Sequence, residues 1–135
     1  MAAGAWKSCF HSRRILLTLL AAGCVLGLTH IPGEDMPRVL QVHALDKVEH
    51  VVAYGVITAG FLFSLKRPTR WGLLLAGLLA LAAIGALDEM TQPLVNRTCD
   101  LRDFICDLTG IVVPGVVFAA VELLRFRTVL PPERM

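Results

Sequence analysis

No two of the four cysteines (Cys9, Cys24, Cys99, Cys106) stand in a CxxC spacing, so the sequence offers neither a zinc-ribbon nor a dithiol redox motif. Charge is scarce: 18% of residues are charged and the net charge is only +2. No basic run has aromatics interleaved with it, which removes nucleic acid as a partner. There is no internal repeat, low-complexity tract or second domain, and residues 1–135 read as one unit. What the chain has instead is apolar surface. At 56% hydrophobic residues and a mean hydropathy of +0.66, it lies outside the soluble range and reads as a membrane protein.

The apolar runs predict an all-α fold, a four-helix transmembrane bundle with helices at about 15–32, 46–65, 70–90 and 103–124. Ile15 to Thr29 is uncharged, and Pro32 and Gly33 stop it. Ala21-Ala22-Gly23-Cys24 looks like a lipoprotein cleavage box, but only Ile15 to Leu20 precede it as an apolar run. That is shorter than the h-region of a signal peptide, so the segment is read as a retained span. Glu34 to Leu45 forms a polar loop broken by Pro37, with a short interfacial helix expected around Arg38 to His43. Gly72, Ala76 and Ala80, with Gly77 and Gly85, supply small residues on the third helix for close helix packing.

Orientation follows from the basic residues. Four spans put Lys7, Arg13, Arg14, Lys66, Arg67, Arg70, Arg125, Arg127 and Arg134 on one side, nine of the 13 Lys and Arg. The other side holds Arg38, Lys47, Arg97 and Arg102. The bias places both termini in the cytoplasm and the acidic loops outside.

The acidic end carries the functional candidates. Val51 to Leu65, the uncharged part of the second helix, is about 22 Å long against a hydrocarbon core of about 30 Å. The second helix therefore draws its polar start toward the membrane. On it Asp46, His50 and Tyr54 follow at i, i+4 and i+8, and Lys47 falls on the same face. Counted from the basic ends, His50, Glu89 and Asp107 all lie about 24–27 Å up their helices, a common layer. Asp100, Asp103, Asp107 and Gly110 make one stripe if the fourth helix reaches back that far. Ionisable groups at such depth need partners and are functional candidates by default.

These residues also resemble a known family. Asp46-Lys47-x-x-His50-x-x-x-Tyr54, then Asp88-Glu89-x-x-Gln92, then Arg97, Asp103 and Gly110 are similar to the pattern of the VanZ-like family of small bacterial membrane proteins, over most of Ile15 to Ala120. The resemblance implies a bacterial cytoplasmic-membrane protein with an envelope role of the glycopeptide (teicoplanin) resistance type. It departs at Asp107, where many relatives carry Asn.

Seven acids, Asp46, Glu49, Asp88, Glu89, Asp100, Asp103 and Asp107, face three bases, Lys47, Arg97 and Arg102. So many like charges at low dielectric call for a shared cation: a divalent metal ion, a proton or a cationic headgroup. The catalytic candidates are His50 as acid/base, Asp46 as its orienting partner, Glu89 and Asp103. The substrate-binding candidates are Lys47, Tyr54, Gln92 and Arg97, and Asp103, Asp107, Glu89 and His50 are the candidate metal ligands. The layer holds no serine, so activated water is the simpler nucleophile. Membrane lipids or a lipid-linked envelope intermediate are the expected partners. Hydrolysis or transfer on a headgroup is one reading, and a non-catalytic envelope module with a structural polar layer is the other. Cys99 and Cys106, seven residues apart, would lie about 10 Å from each other on one helix, too far for a disulfide. A bridge needs Cys99 in a folded-back loop, and two buried thiols are the preferred expectation.

Overall fold

The computed structural model describes residues 9–32, 34, 43–66 and 69–129. Lys7, Arg38, Arg67, Pro68 and the tail Pro131 to Met135 lie outside the described residues, as does the expected interfacial helix apart from His43. The described chain is all-helical: α1 (Ser12–Thr29), α2 (His43–Ser64), α3 (Trp71–Thr91) and α4 (Leu101–Val129), with a 3-10 turn at Gln92–Val95 between α3 and α4. These bounds sit within a few residues of the apolar runs, except that α4 continues to Val129 and carries Pro114 in its interior.

Three of the helical segments, Ser12–Thr29, Trp71–Val95 and Leu101–Phe126, are long and apolar enough to cross a membrane. The chain thus has the make-up of a multi-pass membrane protein. The second helix, α2, falls short by that measure, and its first two turns hold Asp46, Lys47, Glu49 and His50.

The distribution of side chains is the reverse of a water-soluble domain. Leu17, Phe63, Val116 and Leu79 are among many large apolar residues left exposed, whereas His50, Asp88, Glu89, Gln92, Asp103 and Asp107 are buried. In water, apolar groups go inside and charges almost never do. Hydrocarbon as the solvent inverts that preference, because it offers polar groups no partner.

The hub is α2, which packs against α1, α3 and α4, while α3 also packs on α4. Its buried residues His50, Ala53, Tyr54, Ile57, Thr58 and Leu62 recur at helical spacing. Two glycines allow the closest approaches. A Cβ on Gly110 would stand 2.5 Å from the Val51 carbonyl oxygen and 2.9 Å from the Gly55 nitrogen, so α2 and α4 touch backbone to backbone. At Gly77 the Phe61 ring occupies the space a side chain would need. At the opposite end of α2, His11 N–H donates to the Ser64 carbonyl at 2.9 Å and Lys66 N–H to Cys9 at 2.8 Å. Arg14 lies 4.1 Å over the Phe63 ring. These contacts fix the start of α1 against the end of α2.

Candidate functional site: a buried histidine between three helices

Because α2 and α4 meet at Gly110, the residues one turn away, Tyr54 and His50 on α2 and Asp107 on α4, are brought face to face. Helix α3 closes the third side with Gly85, Asp88 and Glu89, all buried. Across this junction His50 Nδ1 lies 2.8 Å from Asp107 Oδ1 and 3.7 Å from Glu89 Oε1. The two side chains share one hydrogen bond, whose donor is set by the imidazole tautomer and the carboxyl's protonation. Gln92 Nε2 donates to Glu89 Oε1 at 2.7 Å, and the Asp100 N–H donates to Glu89 Oε2 at 3.2 Å. Glu89 is therefore held from two directions.

The cluster leaves buried polar atoms unpartnered. Asp107 Oδ2, Asp88 Oδ2, the Tyr54 hydroxyl and the Thr58 hydroxyl have no hydrogen-bond partner. Asp107 Oδ2 and Tyr54 Cε1 both lie 3.4 Å from where a Gly85 Cβ would be, so α3 packs closely on both at Gly85. Each orphaned group of this kind costs about 1–3 kcal/mol unless something fills the gap, and a water, an ion or a functional role is the usual explanation.

Around this centre runs a belt of paired charges. Lys47 forms an ion pair with Asp103 and lies 3.6 Å from Asp100. Arg97 donates to Asp46 Oδ1 at 2.9 Å and to the Thr29 carbonyl at 2.7 Å, which puts its guanidinium at the last turn of α1, where a cation is favoured. Asp100 precedes α4, and its Oδ1 accepts the Arg102 N–H at 2.9 Å, a cap for the exposed amides of the first turn. That N–H, with help from the Lys47 ammonium, holds the Asp100 carboxyl below its ordinary range.

The structure brings His50, Glu89, Gln92, Asp107 and Tyr54 together at the centre, and Asp46, Lys47, Arg97 and Asp103 in the belt around it. Several individual expectations are corrected. The hydrogen-bond partner of His50 Nδ1 is Asp107 on the facing helix, whereas Asp46, one turn back on the same helix, is captured by Arg97. Arg97 pairs with Asp46. Lys47 and Arg97, expected as anion contacts, are both engaged with carboxylates. Tyr54 is fully buried. The expected stripe on α4 begins at Asp103, since Asp100 lies one residue before the helix. Cys99 and Cys106 are unbridged, but they are not two buried thiols: Cys99 is exposed on the link before α4, and Cys106 is half-buried. Finally, the centre is sealed among the described residues, with His50 only 1% exposed.

One part of the layer was missed. Thr29 and His30, at the end of α1, reach α3: Thr29 Oγ1 lies 3.2 Å from Asp88 Oδ1, His30 Nδ1 3.3 Å from the same oxygen, and His30 Nε2 3.0 Å from Thr91 Oγ1. The available signal was His30 following an apolar run of about the length needed to reach the same layer.

The geometry is that of an all-helical protein with three helices apolar enough to cross a membrane and a carboxylate–histidine cluster in its interior. Comparison with family models, with curated proteins and with solved structures finds no match for the chain.

Proposed function

We propose that the chain is a four-span bundle of the bacterial cytoplasmic membrane, with α2 as the fourth span, both termini in the cytoplasm and the histidine cluster toward the outer leaflet. In this reading it acts on a lipid or lipid-linked envelope headgroup by hydrolysis or transfer. The observation that carries it is His50, oriented by Asp107 at 2.8 Å with Glu89 at 3.7 Å, beside unpartnered atoms of Asp107 and Tyr54. A carboxylate-oriented imidazole is a suitable acid/base group, and buried polar groups left unsatisfied are unexpected in a purely structural layer. The basic-residue bias supports the orientation, which lets α2 span by drawing its paired charges to the interface. The similarity of Asp46 to Tyr54, Asp88 to Gln92, Arg97, Asp103 and Gly110 to the VanZ-like pattern supports the envelope setting and a glycopeptide-resistance type of role.

The burial of the cluster favours a second reading, in which the polar layer locks the helices of a non-catalytic envelope module. One experiment separates the two. The chain is reconstituted in vesicles with phospholipids and lipid-linked sugar phosphates, and headgroup release is followed by mass spectrometry for wild type, His50→Ala and Glu89→Gln. Folded variants that lose release support the enzyme. Variants that fail to accumulate, or a wild type without turnover, support the module.

A further inference from the structure

The two trios of candidate ligands around His50 are Asp46, His50 and Asp103, and His50, Glu89 and Asp107. The belt of ion pairs discriminates between them. Asp103 is matched by Lys47 and Asp46 by Arg97, so the first trio has its charge already balanced. No lysine or arginine pairs with Glu89 or Asp107 among the described residues, and one oxygen of Asp107, a fully buried residue, has no partner at all. We propose that His50, Glu89 and Asp107 bind one divalent transition-metal ion of the zinc class, which displaces the proton between His50 Nδ1 and Asp107 to solvent. The inference rests on reading this cluster as a functional site and names its occupant.

The donor set decides the class of ion. One imidazole and two carboxylates suit zinc and its neighbours. Calcium takes six to eight oxygens and magnesium keeps several waters, and neither suits a sealed site with a nitrogen donor. Donors about 2.0 Å from a tetrahedral zinc stand about 3.3 Å apart. The His50–Glu89 separation of 3.7 Å and the His50–Asp107 separation of 2.8 Å bracket that value, and the three donor atoms all lie within 4.8 Å of one another. Gln92, on the oxygen that faces His50, and the Asp100 N–H, on the other oxygen, already orient Glu89, as outer partners of metal-binding carboxylates do.

The test is metal analysis of the purified chain in nanodiscs after loading with zinc chloride and gel filtration, with thermal unfolding run with and without zinc. Wild type is expected to carry about one zinc per chain and to gain thermal stability from it. Asp107→Asn and Glu89→Gln are expected to bind zinc more than about 100-fold more weakly, beyond the usual effect of losing an outer partner. Asp103→Asn and His30→Ala are expected to keep it. Should Asp107→Asn not accumulate, the zinc-dependent shift in wild type and its loss in Glu89→Gln decide the matter. A wild type with neither bound zinc nor a thermal shift overturns the proposal, as does loss of zinc in Asp103→Asn with retention in Asp107→Asn. A zinc-free protein that still releases headgroups ends this inference and leaves the proposed function standing; zinc bound without turnover does the reverse.

Discussion

His50 on α2 and Asp107 on α4 stand 2.8 Å apart across the centre of the bundle, 57 positions from each other in sequence and both essentially inaccessible. Their contact depends on Gly110, one turn deeper, where the two backbones touch. Packing at one level of the helix pair therefore sets the chemistry at the next.

Gly110→Ala is expected to separate α2 from α4 and to destabilise the bundle by about 1–3 kcal/mol, the usual cost of overpacking. Gly72→Ala, where nothing lies within 4 Å of the added carbon, is expected to be neutral or slightly stabilising, since alanine is the better helix former. Thermal unfolding of both variants in the same detergent checks the contrast. Equal effects would mean that α2 and α4 are not in close contact.

Arg97→Lys is expected to behave almost as Arg97→Ala does. The guanidinium serves Asp46 and the Thr29 carbonyl together, a forked contact that a lysine ammonium does not reproduce. Each variant should lose thermal stability by about 1–3 kcal/mol, as for a broken hydrogen bond to a charged group. Full stability in the lysine variant would mean that Arg97 acts only as a charge.

The orientation can be read with the native thiols. Cys99 is exposed on the link before α4, and Cys9 lies at the other end of the bundle, beside Lys66. A membrane-impermeant maleimide applied to intact spheroplasts is expected to label Cys99 and to reach Cys9 only after permeabilisation. The opposite pattern would put the cluster toward the cytoplasm.

Asp100 gives the acid side of stability a definite sign. Its carboxyl is held below the ordinary value by the Arg102 N–H and Lys47, so its stabilising contribution is complete above the unfolded-state value of about 3.9 and is lost as pH falls through the lower folded-state value. Asp100→Asn is expected to flatten this part of the acid limb in a pH series of melting temperatures. An unchanged slope would show that the cap does not form.

The sequence was most informative along the helix axes. Rise per residue is fixed, so counting from Lys66, Trp71 and Arg125 sufficed to place His50, Glu89 and Asp107 at one level. Lateral choices were not legible in the same way. Which carboxylate His50 would face depended on how closely α4 approaches α2, and Arg97 could not be assigned to Asp46 while the path of its loop was unknown. Pro114, inside α4, marked no helix end, because the turns on both sides of it continue the apolar run. The Thr29 and His30 contacts with Asp88 and Thr91 were hidden because His30 read only as the flank of a span.

The most direct test of the account is a double-mutant cycle on the unfolding free energy of the nanodisc-embedded chain, using His50→Ala, Asp107→Ala and the pair. A shared buried site predicts that each single change strands its partner and that the double costs less than the sum, with a coupling of about 0.5–3 kcal/mol. Strict additivity of the two changes would contradict a common site between α2 and α4.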